Sequence, residues 1–476
     1  MQEHQRICFI SFYFSPMVGG AETQSERQAR QLQALGNEVI VVTLRADRRW
    51  KRREMLDGLP VVRIGGIYKR NGQLRVGRLG YLPCDIGMFL TLWQLRHKYD
   101  VIHVFQMSPL AAAAALIGKI AHKPVVISIQ STGPNEEQCK RLEHGARLMV
   151  DTITGVDTNF LNLEAQDVVT GDFTHLPRVA LGGNIIINFL RKSKACFHVN
   201  STRNYAYTTS NEFRAGQIVC IPHGVDTEKY RPATSLGVEH RNGLAKQERT
   251  ILCVARLDYA KGIDVLLHAW ARLMKARSAL GAINRATATA GLAPTPRLHL
   301  VGDGSLRPQL ERMVSELDIS DSVEFMGMRK DIPELLQQAW GFVCPSRWES
   351  LPNALLEAMA CGLPCVATRV SGTEDIMIDG KNGLMVEPEE PVEMALALQR
   401  IIEDSNLAQQ LGKMARATII PDYQLTTVVK RFTELYRYLI THHKHGENWT
   451  EGQVPWRPQG PPLGHYRQGM LQGEQR

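Results

Sequence analysis

The sequence predicts two α/β domains, each on a parallel sheet, joined near Asp226 and followed by a C-terminal helix. Three observations predict it. A chain of 476 residues with 44% hydrophobic content is too large for one ordinary core. Apolar β-rich runs alternate with helical patterns through both halves, the signature of parallel sheets with helices on both faces. Each half also opens with a strand that feeds a glycine-containing loop and then a helix.

In the first half the strand candidates are Ile7–Tyr13, Glu38–Thr43, Val61–Ile67, Val101–Phe105 and Val125–Ile129. Gly19 and Gly20 precede a helix-forming stretch, Ala21–Leu35, which Gly36 ends just past its last turn. From Glu136 to Asn211 weak helical patterns are broken by Gly171, Pro177 and the Gly182–Gly183 pair, and no element is assigned. A strand at Ile218–Ile221 leads into P-H-G-V-D, and the polar Thr234–Glu248 reads as the connection into the second domain. There the strands are Ile251–Val254, Leu298–Val301, Val323–Phe325, Gly341–Cys344 and Val366–Ala367. The Ala-, Thr-, Gly- and Pro-enriched stretch from Ala276 to Pro296 reads as a surface insertion. An apolar stripe through Val428, Phe432, Leu435 and Leu439 marks a helix over Tyr423–His443, and the composition beyond Lys444 predicts disorder. The expected units are thus residues 1–226, 227–422, a helix over 423–443 and a tail over 444–476.

Lys plus Arg exceed Asp plus Glu by 56 − 48 = 8. The excess concentrates from Arg45 to Arg78, with Arg48, Arg49, Lys51, Arg52, Arg53, Lys69, Arg70, Arg75 and Arg78 around Trp50. The plain reading is a solvated loop and helix face; the sharper one is a landing patch for anionic lipid headgroups, each basic residue contributing ~1 kcal/mol near a membrane surface. Nucleic acid is set aside, because no helix-turn-helix, zinc-finger or RNA-binding signature accompanies the charge. Nine scattered cysteines without a C-x-x-C pair fit a reducing, cytoplasmic setting without structural zinc. The run Ile7–Phe14 reads as a first strand rather than a signal peptide. The longest apolar helix candidate, Leu110–Gly118, falls short of the ~20 residues a bilayer requires.

Three segments carry chemistry. Gly20 sits where a strand's carboxyl end meets a helix N-terminus, a place where open parallel sheets bind anions, although a tight turn alone also explains it. Arg256 and Lys261, in A-R-L-D-Y-A-K-G, stand in the loop that opens the helix from Ile263, offering the paired positive charge a diphosphate requires. The segment from Pro345 to Pro364 holds Glu349 and Glu357 on either side of a helix start. With Pro352 in the first turn, Leu351, Asn353 and Ala354 present free N–H groups to a phosphate, with Ser350 beside them and Glu357 about one turn further in. Carboxylates at these two positions suit a sugar hydroxyl and a ribose diol.

These pieces, F-S-P-M-V-G-G-A-E, I-P-H-G-V-D, V-A-R-L-D-Y-A-K-G, V-G-D-G, the E-x7-E segment Glu349–Glu357, G-T-E-D-I and D-G-K-N-G-L-M-V, resemble glycosyltransferase family 4 in order and spacing. These are retaining transferases of the GT-B fold, within the glycogen synthase-like superfamily. The resemblance, from about Ile7 to His443, implies two Rossmann-like domains facing a central cleft, an acceptor-binding N-terminal domain and a nucleotide-sugar-binding C-terminal one. It implies a C-terminal helix crossing back over the first domain. It also implies that Arg256 and Lys261 hold the donor diphosphate, Glu357 the ribose and Glu349 the transferred hexosyl group, with Gly19 and Gly20 lining the donor across the cleft. No cofactor and no metal are expected. Where many members carry a His near the reacting sugar, this chain reads Gln130, Ser131, Thr132, Gly133. Ser131 or Thr132 is then a candidate sugar contact, and His103 another, although a satisfied structural histidine is the plainer reading of His103. His223, at a position where the family usually has Asn, is expected to serve the interdomain connection.

The alternatives are a GT-B nucleotide-sugar epimerase, which needs no acceptor, and a non-catalytic nucleotide-sugar-binding protein. A nicotinamide-dependent oxidoreductase rests only on Gly302-Asp303-Gly304, which lacks the third glycine of a dinucleotide fingerprint.

Overall fold

In the computed structural model, which describes residues 4–16, 20–74, 82–108, 110–130, 183–233, 249–287 and 295–444, the first half runs β1 (Arg6–Ser11), α1 (Gly20–Ala34), β2 (Glu38–Leu44), β3 (Arg53–Leu56), β4 (Leu59–Ile64), α2 (Leu82–Leu95), β5 (Val101–Val104), α3 (Leu110–Ile120), β6 (Val125–Ile129), α4 (Gly183–Lys192), β7 (Cys196–Val199), α5 (Thr202–Ser210) and β8 (Ile218–Cys220). Its strands form one sheet in the order β3-β4-β2-β1-β5-β6-β7-β8, parallel except for β3. The second half runs β9 (Thr250–Val254), α6 (Ile263–Thr287), β10 (Arg297–Val301), α7 (Arg307–Glu316), β11 (Val323–Gly327), α8 (Ile332–Gln338), β12 (Gly341–Cys344), α9 (Asn353–Ala360), β13 (Cys365–Thr368), α10 (Ser371–Glu374), β14 (Leu384–Val386), α11 (Pro391–Glu403) and α12 (Ser405–Asp422). These strands form a parallel sheet in the order β11-β10-β9-β12-β13-β14. The last helix is α13 (Leu425–Lys444).

Strands such as β5 and β6 are buried at every residue, which is why they read as continuous apolar runs rather than alternating ones. In each sheet the first strand is the point where strand order reverses: β1 lies between β2 and β5, and β9 between β10 and β12. The crevice beyond such a strand's carboxyl end is where open α/β sheets take ligands. One crevice receives the start of α1, the other the Arg256 loop.

The two halves are joined twice at one place. Val225 bonds through its N–H to the Tyr423 carbonyl and through its carbonyl to the Leu425 N–H, both at 2.8 Å. Gly224 permits this approach, since a Cβ there would lie 2.8 Å from Leu425 Cα. From this point α13 returns to the first half, where Val428, Phe432, Leu435 and Leu439 are buried with Phe9, Phe105 and Leu32.

Three stretches differ from the sequence expectation, the first being residues 183–210, where no element was expected and the chain forms α4, β7 and α5. The strand expected at Val61–Ile67 starts and ends earlier, as β4, and pairs with β3 through a turn at Asp57 and Gly58, whose φ values are 47° and 83°. Part of the basic stretch is therefore a β-hairpin rather than loop and helix. Arg63 is buried within it, donating to the Ser15 carbonyl at 2.7 Å and lying 5.1 Å from the Trp50 ring centroid. The insertion expected from Ala276 is also corrected, because α6 continues to Thr287; alanine's helix propensity outweighs the Ser, Thr and Gly it is mixed with. Gly19, Arg75, Arg78, Ser131, Thr132 and the expected tail lie outside the described residues.

Candidate active site

The second-domain loops lock together before any site residue is placed. After β9 the chain makes a turn at Tyr259–Lys261 that closes on Gly262 with φ 61°. A Cβ at Gly262 would sit 2.1 Å from the Pro345 carbonyl oxygen, so only glycine fits between the two loops. Across that contact the Arg347 N–H donates to the Ala260 carbonyl at 2.8 Å. The buried Arg347 guanidinium donates to both oxygens of Asp264 at 2.8 and 2.6 Å, to the Tyr259 carbonyl at 2.8 Å and to Glu389 at 2.9 Å. Burial works against Asp264's charge, but Arg347 prevails and holds its carboxyl below the usual range. From the other side, Cβ atoms at Gly302 and Gly304 would fall 1.9 and 2.3 Å from the Ala255 and Leu257 carbonyl oxygens. The G-D-G motif is thus a backbone brace beneath the Arg256 loop, which accounts for its glycines without a dinucleotide.

On this platform Lys261 meets Glu349. The ammonium pairs with Glu349 Oε1, which also accepts from Ser346 Oγ at 2.9 Å, and the two side chains are only 19% and 14% exposed. Burial alone would depress the Lys261 pKa, but Glu349 overrides it and the net shift is upward, so the ammonium stays charged. Arg256 is 63% exposed and lies 3.0 Å from Asp258. Burial raises the Glu22 carboxyl on α1, with Arg256 pulling the other way, so Arg256's field reaches across to the first domain.

Pro352 stands just before α9, extended at φ −75° and ψ 111°, rather than in its first turn. The first bond of the ladder runs from the Leu356 N–H to the Pro352 carbonyl at 3.2 Å, so the N–H groups of the first turn precede the ladder. The preceding loop is fixed by Gly372, which presses on Ser350, and by Ser371, whose hydroxyl donates to the Glu349 carbonyl. Leu351 is buried beneath, and Asn353 Oδ1 accepts from Gln24 of α1 at 2.9 Å. Glu357, one turn along, is buried and paired with Arg27 of α1 at 2.7 Å. Arg27 and Gln24 were not expected from sequence; the one available signal is a polar face on α1, Gln24, Arg27 and Gln28, that no apolar packing explains.

Gly20 begins α1, with Glu22 and Gln24 directed at this site. His103 does not face it. The ring is fully buried, with Nδ1 2.6 Å from the Tyr436 hydroxyl and Nε2 2.8 Å from Ser128 Oγ, and burial pushes its pKa well below the ordinary value. It serves to dock α13, so the acceptor-contact reading of His103 is corrected in favour of the structural one. Gln130 donates to the Phe105 carbonyl at 3.1 Å and turns its oxygen to His223 Nε2 at 2.9 Å, while His223 Nδ1 lies 3.1 Å from Asn353 Oδ1. His223 therefore bridges the end of β6 to the start of α9, connecting the domains.

Two parallel-sheet domains whose switch-point crevices face one another, one of them lined by Arg256, Lys261 and the N-terminal end of a helix, define a GT-B protein. Residues 239–418 match the family described as "Glycosyl transferases group 1", and residues 19–157 the "Glycosyl transferase 4-like domain". The chain is 23% identical over 446 residues to N-acetyl-alpha-D-glucosaminyl L-malate synthase of Bacillus anthracis, covering 91% of this chain and 97% of that one. It is 31% identical over 240 residues to D-inositol 3-phosphate glycosyltransferase of Corynebacterium urealyticum, a match that spans 48% of this chain and about half, 53%, of that relative. Among solved structures, Anabaena HepE in complex with UDP-glucose superposes with a TM-score of 0.63 at 19% identity, over 91% of this chain and 100% of that one. Sucrose-phosphate synthase from Thermosynechococcus elongatus does so with a TM-score of 0.63 at 22% identity, over 92% and 100%. The chain belongs to the family-4-like glycosyltransferases, and it is an enzyme that transfers sugars.

Proposed function

We propose that the chain moves a hexosyl group from a nucleoside-diphosphate sugar to an acceptor bound against the first domain, with retention of configuration and without a metal. Arg256 and Lys261 grip the diphosphate beside the N–H groups that open α9, Glu357 accepts the ribose hydroxyls, and Glu349 orients the sugar. As the anomeric carbon–oxygen bond to the diphosphate breaks and the bond to the acceptor oxygen forms, the acceptor's proton leaves with the nucleoside diphosphate. Negative charge grows on the departing phosphate, where fixed cations and N–H dipoles stabilise it. The observation that carries this reading is the Lys261–Glu349 pair set next to the N-terminal end of α9.

A melting-temperature panel of UDP, other nucleoside diphosphates and their sugars tests it. A ligand at about 100 times its Kd stabilises by about 2.7 kcal/mol, and at least one should do so. Arg256→Ala should lower turnover by ~10²-fold or more, as loss of a charge stabiliser does, and because Arg256 is mostly exposed the fold should survive. Unchanged turnover removes Arg256 from this role, and a panel without any stabilising nucleotide sinks the reading. The anomeric configuration of the product, read by NMR, checks retention.

A membrane-borne acceptor, with the enzyme peripheral at the cytoplasmic surface, is the reading we favour. No described helix is long and apolar enough to cross a membrane. Instead α2 exposes Leu82, Ile86, Leu90 and Trp93 along one face, while Cys84, Met88, Leu92 and Leu95 are buried on the other. Exposed Arg48, Lys51, Arg52, Lys69 and Arg70 lie in the loops around β4, against which α2 packs. An apolar helix face beside basic loops suits an anionic lipid surface.

A further inference from the structure

The ion pair on Glu357 joins two domains. Helix α1 runs along α9, so that Gln24 meets Asn353 and Arg27, about one turn on, meets Glu357, also one turn on. Arg27 Nη1 lies 2.7 Å from Glu357 Oε1, and the two side chains are 20% and 9% exposed. The other terminal nitrogen of Arg27 donates to the Tyr230 hydroxyl at 3.0 Å, and the guanidinium lies 5.4 Å from the Tyr230 ring centroid. Tyr230 sits just past the first connection between the domains, so residues from both sides enclose one carboxylate.

A carboxylate accepts hydrogen bonds at about four positions on its two oxygens. Arg27 at Oε1 and the Tyr230 hydroxyl both contact the carboxylate, and of its roughly four acceptor positions others serve neutral donors such as ribose hydroxyls. Ribose brings no charge, so it does not replace the guanidinium. Closing α1 onto α9 without Arg27 buries a bare carboxylate, whereas in an open form water solvates Glu357 and nothing is lost.

We propose that Arg27 is a positioning residue that compensates and orients Glu357 only when the domains close, and so makes the ribose-binding carboxylate the link between donor binding and closure. This rests on the reading of Glu357 as the ribose acceptor. The donor is gripped by the second domain in either state, but the sugar meets its acceptor only in the closed one.

The full-length enzyme with Arg27→Gln tests it. Turnover at saturating donor should fall by about 30-fold or more, the lower end for removing one partner of a buried charge pair, while the Kd for nucleoside diphosphate weakens by far less than turnover falls, only by the share of closure that binding drives. Arg27→Lys, which keeps the charge, should recover most of the turnover. Tyr230→Phe, which removes a neutral hydroxyl from both Arg27 and Glu357 but leaves the charge pair, should cost less than Arg27→Gln. Small-angle scattering should show the unchanged enzyme contracting on donor addition and the Arg27→Gln variant failing to contract, with an unchanged melting temperature. A merely structural arginine would lower the melting temperature and leave contraction intact, which overturns the inference. Unaltered turnover overturns it as well. A Kd weakened in step with turnover would make Arg27 a direct donor contact, and a tightened Kd would make it a competitor; either refutes the positioning role. If the unchanged enzyme binds no nucleoside diphosphate, the donor reading itself fails and takes this inference with it, whereas binding without an Arg27 effect sinks the inference alone.

Discussion

Replacing Lys261 by methionine separates the two tasks of its ammonium. The aliphatic stem survives, but among the described residues Glu349, 14% exposed, keeps the Ser346 hydroxyl as its side-chain donor. Removing one partner of a buried pair costs about 3 to 5 kcal/mol, and the remaining solvent contact of both groups places this case near about 3 kcal/mol on that scale. At about 2 to 4 °C per kcal/mol for a domain of this size, the melting temperature should fall by about 6 to 12 °C. Turnover should fall independently, by about 10²–10³-fold, because a fixed cation beside the departing diphosphate is gone. Adding Glu349→Gln to Lys261→Met leaves a neutral pair, so stability should return to within about 1 kcal/mol of the unchanged enzyme while turnover does not. Calorimetry and steady-state rates at saturating donor read the two effects separately. Turnover of the double variant should also lie well below that of Glu349→Gln alone, because the cation on the diphosphate is missing as well; if the two turn over equally, Lys261 acts only by holding Glu349, and its place on the diphosphate is refuted.

Two further outcomes follow from other sites. Asp375, which accepts from the Thr202 N–H at 2.8 Å, has its carboxyl pushed up by burial from the ordinary 3.8 to about 6, against the pull of Thr202. A folded value above the unfolded one means a contribution fully present below about pH 3.8 and lost as pH rises through about 6, some 3 kcal/mol in all at about 1.4 kcal/mol per unit. Asp375→Asn should therefore match the parent near pH 4 and exceed its stability near pH 8 in urea unfolding; a variant less stable at pH 8 contradicts the sign. On α2, Ile86→Glu with Leu90→Glu should abolish sedimentation with vesicles rich in anionic lipid while leaving nucleotide binding intact, and high salt should weaken the parent's binding; a parent that never sediments removes the membrane reading.

What the sequence revealed about the site follows from how local each feature is. Arg256 and Lys261 were legible because a strand, a glycine-closed turn and a helix start lie within a dozen residues, and Glu349 because its loop belongs to the adjacent strand β12. That Lys261 and Glu349 touch depends on Gly262 letting the two loops meet, which periodicity does not encode. Arg27 was hidden, since its partner is 330 residues away in the other domain and the pair exists only through docking. The β3–β4 hairpin had a local signal, the Asp57-Gly58 dipeptide between two alternating runs, but the density of charge around it drew the reading toward loop and helix. His103 is the opposite case, where the plainer of two readings holds. A polar residue at a strand end suggests a ligand, yet here the carboxyl-side ring of β5 is roofed by Phe432 and Tyr436 of α13, an element more than three hundred residues later.

The double connection also decides how the domains move. Because Val225 is bonded to both Tyr423 and Leu425, the outgoing and returning segments act as one pivot rather than two independent tethers. Helix α13 is embedded in the first-domain core through Phe432 and Leu435, so it moves with that domain although it follows the second in sequence. Rotation about this pivot must then be read where α1 faces α9, and the contacts there are polar and pairwise: Gln24 with Asn353, and Arg27 with Glu357. Thr202 with Asp375 adds a third such contact on the far side of the pivot. Polar interdomain contacts exchange for water at small net cost, unlike an apolar core that would have to be torn open. A closure that is specific in register yet shallow in energy is what a transferase needs if it is to exclude water during transfer and still release its nucleoside diphosphate afterwards.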